Sequence, residues 1–420
     1  MKNIVNKLLI IVCFFWIESA RSQADSNLLR LNYSTGKNLL LAENLNLLAE
    51  YYNIEIAQAE IDQAKLWNNP LFVWNAEMYS IAKNQYFGFN NQKLIQLEYA
   101  FSISGKRINA IRQANLNREL AELAFSDVIR GMVAEYSANY LSLNALKEKE
   151  AIFQLILSQF EDVIDLSTIK LSLGVNSESD LVRLQTEFLA LQSLLAGIKN
   201  EIFQIESNLK TMLSLPAQTK LETQKINYVF PEKINIQLLI DSARMNRPDF
   251  LMAEKNLVLN DMKYKGQKKE AYPMINLGYQ PLDGGSNYVR PYSGMVFEMS
   301  LPIFNRNQGN IRAAKVGIEQ GKYTFEYAQV ELENQVAASY LQHLNSKGIY
   351  MQYTDQMLQR MNELSVNAKM NFEKRNISLI EYIDHQRAYI DHQMNWIDAT
   401  SNYYQSINQI YFTVGKEISF

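Results

Sequence analysis

The chain repeats itself, and the repeat limits what it can fold into more than any other feature. Phe101-Ser-Ile-Ser-Gly-Lys-Arg-Ile-Asn-Ala-Ile-Arg-Gln-Ala114 aligns without a gap with Leu301-Pro-Ile-Phe-Asn-Arg-Asn-Gln-Gly-Asn-Ile-Arg-Ala-Ala314, 200 residues later. The same offset pairs Ala138-Asn-Tyr-Leu141 with Ala338-Ser-Tyr-Leu341. One residue further on, Asp180-Leu-Val pairs with Glu381-Tyr-Ile, and Gln185 with Gln386. The chain is therefore expected to hold two copies of one unit, residues 25–216 and 217–420, each ordered helix, strand, strand, helix, helix.

The strand segments alternate with period two. In Ile95-Gln-Leu-Glu-Tyr-Ala-Phe-Ser-Ile103 the odd positions are apolar and the even ones are Gln96, Glu98, Ala100 and Ser102. Met295, Phe297, Met299 and Leu301 alternate with Glu298 and Ser300 in the same way. Strands are expected at 71–80, 93–103, 274–280 and 294–303, joined by polar loops at Ile81–Gln92 and Pro281–Ser293. One greasy and one wet face per strand suits a half-buried sheet or a membrane barrel. Four strands are too few to enclose a lumen, whereas three copies supply twelve. Membrane spanning would thus demand a trimer, with the two loops facing outward.

Helices fill most of the rest. Leu181, Leu184, Phe188, Leu191, Leu195, Ile198, Ile202, Ile205, Leu209 and Met212 keep a three-four spacing, the mark of a coiled-coil seam. In the second copy two seams share one stretch, with Ile383, Ile390 and Ile397 on one and Tyr382, Tyr389 and Trp396 on the other. Two seams imply two helical neighbours, as in a wall of helices. The helices on either side of Gly174 and Arg375 are expected to run roughly 30 to 60 residues, or many tens of ångströms. Scarce breakers agree, with Gly 16 and Pro 8 in 420 residues. The 24 Tyr and 19 Phe suit strands and membrane-interface girdles.

The N-terminus reads as a secretory signal peptide, residues 1–24. Lys2 and Lys7 precede the apolar run Leu8–Ile17, and Ala20, Ser22 and Ala24 follow it. The only cysteine, Cys13, lies inside that run, so the mature chain is expected to carry no disulfide and no thiolate chemistry. A net charge of -3 with scattered basic residues argues against nucleic acid. No Ser-His-Asp order, HExxH, P-loop or dinucleotide fingerprint is present, so no enzyme and no cofactor is expected.

These residues resemble the TolC-type outer membrane efflux family over essentially the whole mature chain. Leu301–Ala314 looks like the family's strand-to-helix signature. Asn69-Pro70 and Gly105-Lys106-Arg107 are similar to the heavy-metal branch typified by CzcC and CusC, and Arg247-Pro248-Asp249-Phe250 resembles the segment before the second repeat's first long helix. The resemblance implies a mainly α fold with a membrane β-barrel: twelve strands and a helical α-barrel from a homotrimer. It implies an outer membrane duct of a Gram-negative bacterium that passively carries metal cations or drugs from the periplasm outward. Its partners would be outer membrane lipid, a periplasmic adaptor and an inner-membrane transporter of RND type.

The resemblance also places a gate where each long helix pair turns, at Gly174-Val175-Asn176-Ser177 and Arg375-Asn376-Ile377-Ser378. The adaptor would touch Gly174, Val175, Asn176, Ser177, Asn376, Ile377 and Ser378. In TolC-like proteins, acids six and nine positions after the second tip glycine ring the pore. Arg375 stands in that glycine's place here, and Glu381 and Asp384 follow at those spacings. The family latches a first-tip aspartate to a second-tip tyrosine. Asp180 fits the aspartate, but Phe372 occupies the tyrosine's place and cannot donate that bond.

Of the histidines His343, His385 and His392, only His385 has an acidic neighbour four residues away, Glu381, and is the sole metal candidate. A type I protein-secretion duct would share the fold. A periplasmic coiled-coil adaptor would carry one helical hairpin, whereas this chain carries two.

Overall fold

A computed structural model describes residues 28–76, 78–80, 84–86, 93–174, 177–226, 235–284 and 290–416. The expected signal peptide, with Cys13, lies outside them, as does most of the first polar loop. The first repeat holds β1 (Leu28–Leu31), α1 (Tyr33–Glu43), α2 (Leu45–Lys65), β2 (Leu71–Ala76), β3 (Tyr79–Ser80), β4 (Gln85–Tyr86), β5 (Lys93–Ser102), α3 (Lys106–Ser172) and α4 (Glu178–Met212). The second holds β6 (Lys220–Thr223), α5 (Ile236–Asn246), α6 (Pro248–Glu270), β7 (Met274–Asp283), β8 (Tyr292–Met299), α7 (Gln308–Tyr350), α8 (Asp355–Glu373) and α9 (Leu379–Val414).

Two compact units cut across the repeats. One comprises residues 1–44, 136–228 and 355–401; the other 45–135, 229–354 and 402–420.

The second of these units holds the main sheet, ordered β2-β5-β7-β8 and antiparallel throughout. Phe72 lies opposite Leu97, Leu97 opposite Tyr279, and Tyr279 opposite Met295. This register collects the apolar side chains on one face, and that face is open: Phe72, Leu97, Tyr279, Phe297 and Met295 are all exposed, Met295 by 86 %. The polar face is the crowded one. Gln96 and Gln280 are buried there. A Cβ on Gly278 would lie 3.1 Å from Glu98 Cγ and 3.2 Å from Val296 Cβ, as expected where a sheet curves toward that side. A protein in water hides its apolar face; this sheet offers it outward.

Four helices continue the strands in the same order. Arg107 Nε of α3 donates to the last carbonyl of α2, Lys65 O, at 3.0 Å, and its guanidinium covers the Trp67 ring at 4.1 Å. Lys106 meets Glu270 at 2.9 Å and Glu119 meets Lys255 at 2.5 Å, joining α3 to α6. Asn307 Nδ2 donates to Gln267 O at 2.8 Å, and Phe250 packs on Phe325, joining α6 to α7. The wall therefore runs α2-α3-α6-α7 beside β2-β5-β7-β8.

Arg247-Pro248-Asp249 starts α6. Pro248 takes the first helical position, where a missing N–H costs nothing. Arg247, nearly fully buried, grips Asp249 at 3.0 and 2.6 Å and reaches Gln335 at 2.8 Å. Arg130 meets the same carboxylate at 3.2 Å and donates to Phe412 O at 2.9 Å. Burial alone would raise the Asp249 carboxyl; the Arg247 hydrogen bonds and the Arg130 charge outweigh it and hold it below the usual range.

The other unit holds a parallel pair, β1 with β6, which sequence reading did not anticipate. Tyr140 of α3 ties the pair down, its hydroxyl shared between Leu31 O at 2.9 Å and Gln224 O at 2.8 Å, while Tyr136 OH donates to Tyr33 O at the start of α1 at 3.1 Å. Gly36 leaves room for Tyr136, whose oxygen would lie 2.1 Å from any added Cβ. Two helical hairpins make up the rest of the unit: the end of α3 with α4, and α8 with α9. They share a core containing Phe153, Ile156, Phe160, Leu184, Tyr382 and Ile383. On α9 both expected seams are buried, through Tyr382 and Tyr389 on one side and Ile383, Ile390 and Ile397 on the other.

Several expectations need correction. Each repeat carries a short helix, α1 or α5, ahead of the one before its first strand. β7 runs on through Pro281 to Asp283, and β8 starts at Tyr292, so the second loop is shorter than expected. The first hairpin strand stops at Ala76, and a separate small ladder pairs Tyr79 with Tyr86. The second repeat's descending helix breaks at residues 351–354, leaving α8 only 19 residues long. In the unbroken α3 the first copy has Ala145, Leu146, Glu148 and Gln154. Asn345, Ser346, Gly348 and Thr354, weaker helix formers, occupy the corresponding stretch of the second copy.

Candidate gate at the hairpin tips

Both tips reverse direction through a residue in the left-handed region. At the first it is Gly174, with φ +69°, whose N–H donates to Leu171 O at 2.9 Å. Val175 and Asn176 lie outside the described residues. Ser177 caps α4, its side chain accepting from Asp180 N at 3.1 Å. Glu178 and Asp180 in the first turn complement the helix dipole.

At the second tip the left-handed residue is Arg375, with φ +62°. Arg375 N–H donates to Phe372 O at 3.0 Å and Asn376 N–H to Asn371 O at 2.8 Å, the paired bonds of a glycine-type helix stop. Ser378 and Glu381 then form a reciprocal capping box: Ser378 N donates to Glu381 Oε2 at 2.7 Å, and Glu381 N to Ser378 Oγ at 3.3 Å. The backbone bond from Ser378 holds the Glu381 carboxyl below the usual range.

The two tips meet around an open cavity of about 380 Å³ lined by Lys170, Asp180, Leu184, Phe372, Arg375 and Ile377, with Ser378 among its other walls. The structure thus brings together Asp180, Phe372 and Arg375. Phe372 does not hang free in the tyrosine's place; it stacks on buried Tyr382 at 5.1 Å and 25°. Glu381 and Asp384 are exposed on the first turns of α9 and do not line the cavity.

Two repeats of the chain, residues 37–214 and 239–416, match the family model described as outer membrane efflux protein. The chain belongs to that family. As an outer membrane efflux protein it is a channel and not an enzyme. Solved structures agree on the fold. The channel CusC superposes with a TM-score of 0.75 at 16 % identity, covering 95 % of this chain and 96 % of that one. VceC from Vibrio cholerae gives 0.75 at 13 %, covering 92 % and 97 %. The CmeC outer membrane channel of Campylobacter jejuni gives 0.73 at 14 %, covering 91 % and 85 %. No curated protein matches in sequence.

Sequence reading missed the ties that hold this efflux protein's hairpins together. Arg387 grips Glu187 at 2.8 and 2.5 Å, and Lys369 meets Asp162 at 2.5 Å. Lys170 in the cavity was also missed. Surface charges on helices carry no sequence signal of their partners. The capping box was legible, because Ser378-Leu-Ile-Glu381 has the required spacing. His385 is half-buried on the turn after Glu381, and no group of three metal-ligating side chains occurs among the described residues. His343 is buried against Ser406 Oγ at 2.9 Å, and burial, then the Lys347 charge, push it down to about 4.

Proposed function

We propose that three copies of this efflux protein build a duct in the outer membrane of a Gram-negative bacterium. Small solutes, cations or drugs, pass through it passively from periplasm to exterior. The observation that carries this reading is the four-stranded sheet. It presents an apolar face outward, crowds polar groups on the other side, and leaves β2 and β8 with open edges. An open edge in an isolated copy invites another strand. Three sheets in a ring bring twelve strands, remove every edge, and place Glu98 and Gln96 toward a wet lumen.

A duct does no chemistry, so energy and solute selection come from an inner-membrane transporter of RND type and a periplasmic adaptor. The adaptor meets the tips at Gly174–Ser177 and Asn376–Ser378. Threefold symmetry turns Glu381 and Asp384 into rings of three carboxylates that favour cations. Glu381 spends Oε2 on its cap and keeps Oε1 for the pore. Spreading of the tips by the adaptor opens this constriction. The local ties to be broken include Lys369–Asp162 and Arg387–Glu187.

Tethering the tips tests the gate. Asp384→Cys chains cross-linked to one another through a short bifunctional thiol reagent should lose export and recover it on reduction. Undiminished export from verified cross-linked trimers would sink the gate.

A further inference from the structure

The cavity between the tips holds side-chain charges that neither the turns nor the acidic constriction use. Lys170, half-buried on α3, and Arg375, at the second turn, both line it. Neither side chain makes an ion pair with a described residue. Other cations of the same hairpins do find partners, Lys369 with Asp162 and Arg387 with Glu187. Asp180 is the carboxylate on the wall among the described residues, and it pairs with neither cation. The lining therefore carries one net positive charge.

Ser167 is an independent sign of a ligand. It lies one turn before Lys170 on the same face of α3 and forms part of the cavity wall. The residue is 1 % exposed, yet its hydroxyl makes no hydrogen bond. A hydroxyl inside a helix ordinarily bonds to the carbonyl four residues back, as Thr168 does to Ile164 O at 2.8 Å. Leaving a buried hydroxyl without a partner is costly, and on a cavity wall it is a donor held ready for something in the cavity.

The opposite wall supplies more donors. Ser378 and Glu381 satisfy each other in the capping box. Leu379 and Ile380, the first residues of α9, keep N–H groups that have no acceptor inside the helix, and both residues line the cavity. The second tip also sets a long cation in the left-handed position where the first tip uses glycine, a choice that the turn alone disfavours.

We infer that this cavity is an oxyanion site bridging the two hairpins of one copy, charged for a small multivalent anion such as inorganic phosphate. Ser167 and Lys170 hold the anion from α3. Arg375 and the first amides of α9 hold it from the second tip. Cationic donors and helix-end amides are the groups that bind phosphate oxygens. Asp180 works against them, so affinity rises when that carboxylate is neutralised. An anion held by both hairpins ties them together beside Lys369–Asp162 and Arg387–Glu187. The site is complete within one copy and stands apart from ring formation and from the pore carboxylates.

The test is calorimetric titration of the detergent-solubilised full-length protein with inorganic phosphate at fixed ionic strength. Wild type should give saturable heat. Lys170→Gln and Arg375→Gly remove a cation while keeping the helix and the left-handed turn. Each should weaken binding roughly tenfold or more, as expected for one lost charge-assisted hydrogen bond. Ser167→Ala should weaken it by a smaller factor, and Asp180→Asn should tighten it. Phosphate should also slow hydrogen exchange at Leu379 and Ile380 in wild type and not in Lys170→Gln. Helical circular dichroism of each variant separates lost affinity from lost fold. Wild type without saturable binding overturns the site. Binding that survives both Lys170→Gln and Arg375→Gly unchanged reports an adventitious ion only and overturns it as well, as does weaker binding by Asp180→Asn.

Discussion

The two helical hairpins descend from one repeated unit, yet they hold together differently. Where α3 meets α4, the buried side chains are mostly apolar, with Ile156, Phe160 and Val163 near Leu184 and Leu191. Where α8 meets α9, polar layers interrupt the seam. Ser365 Oγ donates to Gln386 Oε1 at 3.1 Å, and Asn362 Oδ1 accepts from Tyr389 OH at 3.2 Å and Gln393 Nε2 at 2.9 Å. Apolar layers stabilise a helix pair without choosing its register, whereas a satisfied polar layer chooses register at some expense in stability. The tips differ too: a glycine takes the left-handed position in the first, an arginine in the second. Duplication has left one hairpin built for adhesion and one for alignment, the latter bearing the carboxylates assigned to the gate.

Truncating the apolar seam should do the most damage. Phe160, 1 % exposed, should destabilise the unit by about 3–5 kcal/mol as Phe160→Ala, through lost burial and a cavity. Gln386→Ala should lose about 1–3 kcal/mol, the expense of leaving Ser365 unsatisfied in the core. Denaturant unfolding followed by helical circular dichroism reads both. Replacing the whole layer, Ser365→Ala with Gln386→Leu, should restore stability while loosening register, seen as faster hydrogen exchange in α8. Equal exchange in that variant would deny the polar layer its aligning role.

The tips should respond with opposite signs. Arg375→Gly removes a left-handed side chain and should stabilise by about 1 kcal/mol, and Gly174→Ala should cost about 1 kcal/mol. Stabilisation by both, or by neither, would contradict the turn geometry.

The smallest effect is expected at the Glu381 cap, which is solvent-facing. Its carboxyl lies below the usual glutamate range in the folded chain, chiefly through the Ser378 N–H. A depressed carboxyl stabilises above its unfolded value and loses that contribution as pH falls through the folded value. Amide protection in the first turn of α9 should therefore hold at neutral pH and fall below the ordinary glutamate range. Glu381→Gln should flatten that dependence.

The hairpin strands were legible because period-two alternation is a strong local signal, and Phe101–Ala114 against Leu301–Ala314 exposed the duplication. The α9 seams were legible for the same reason, since Tyr382 and Ile383 each begin a helical period. The β1·β6 pair was not, because four-residue strands from distant parts of the chain have no pattern to betray them. The break after Tyr350 had a signal in Gly348 and Thr354, which weighed less than the length of the helical pattern around it. At the tips, the family resemblance singled out Asp180, Phe372 and Arg375, but only the fold brings them around one cavity and turns Phe372 onto Tyr382.

The central claim is a gated duct, and single-channel conductance in planar bilayers tests it most directly. Wild-type trimers should show small, cation-selective openings, and the Glu381→Ala/Asp384→Ala protein should conduct more and lose that selectivity. Well-folded trimers silent in both forms, or an enzyme-like turnover in place of conductance, would contradict the account.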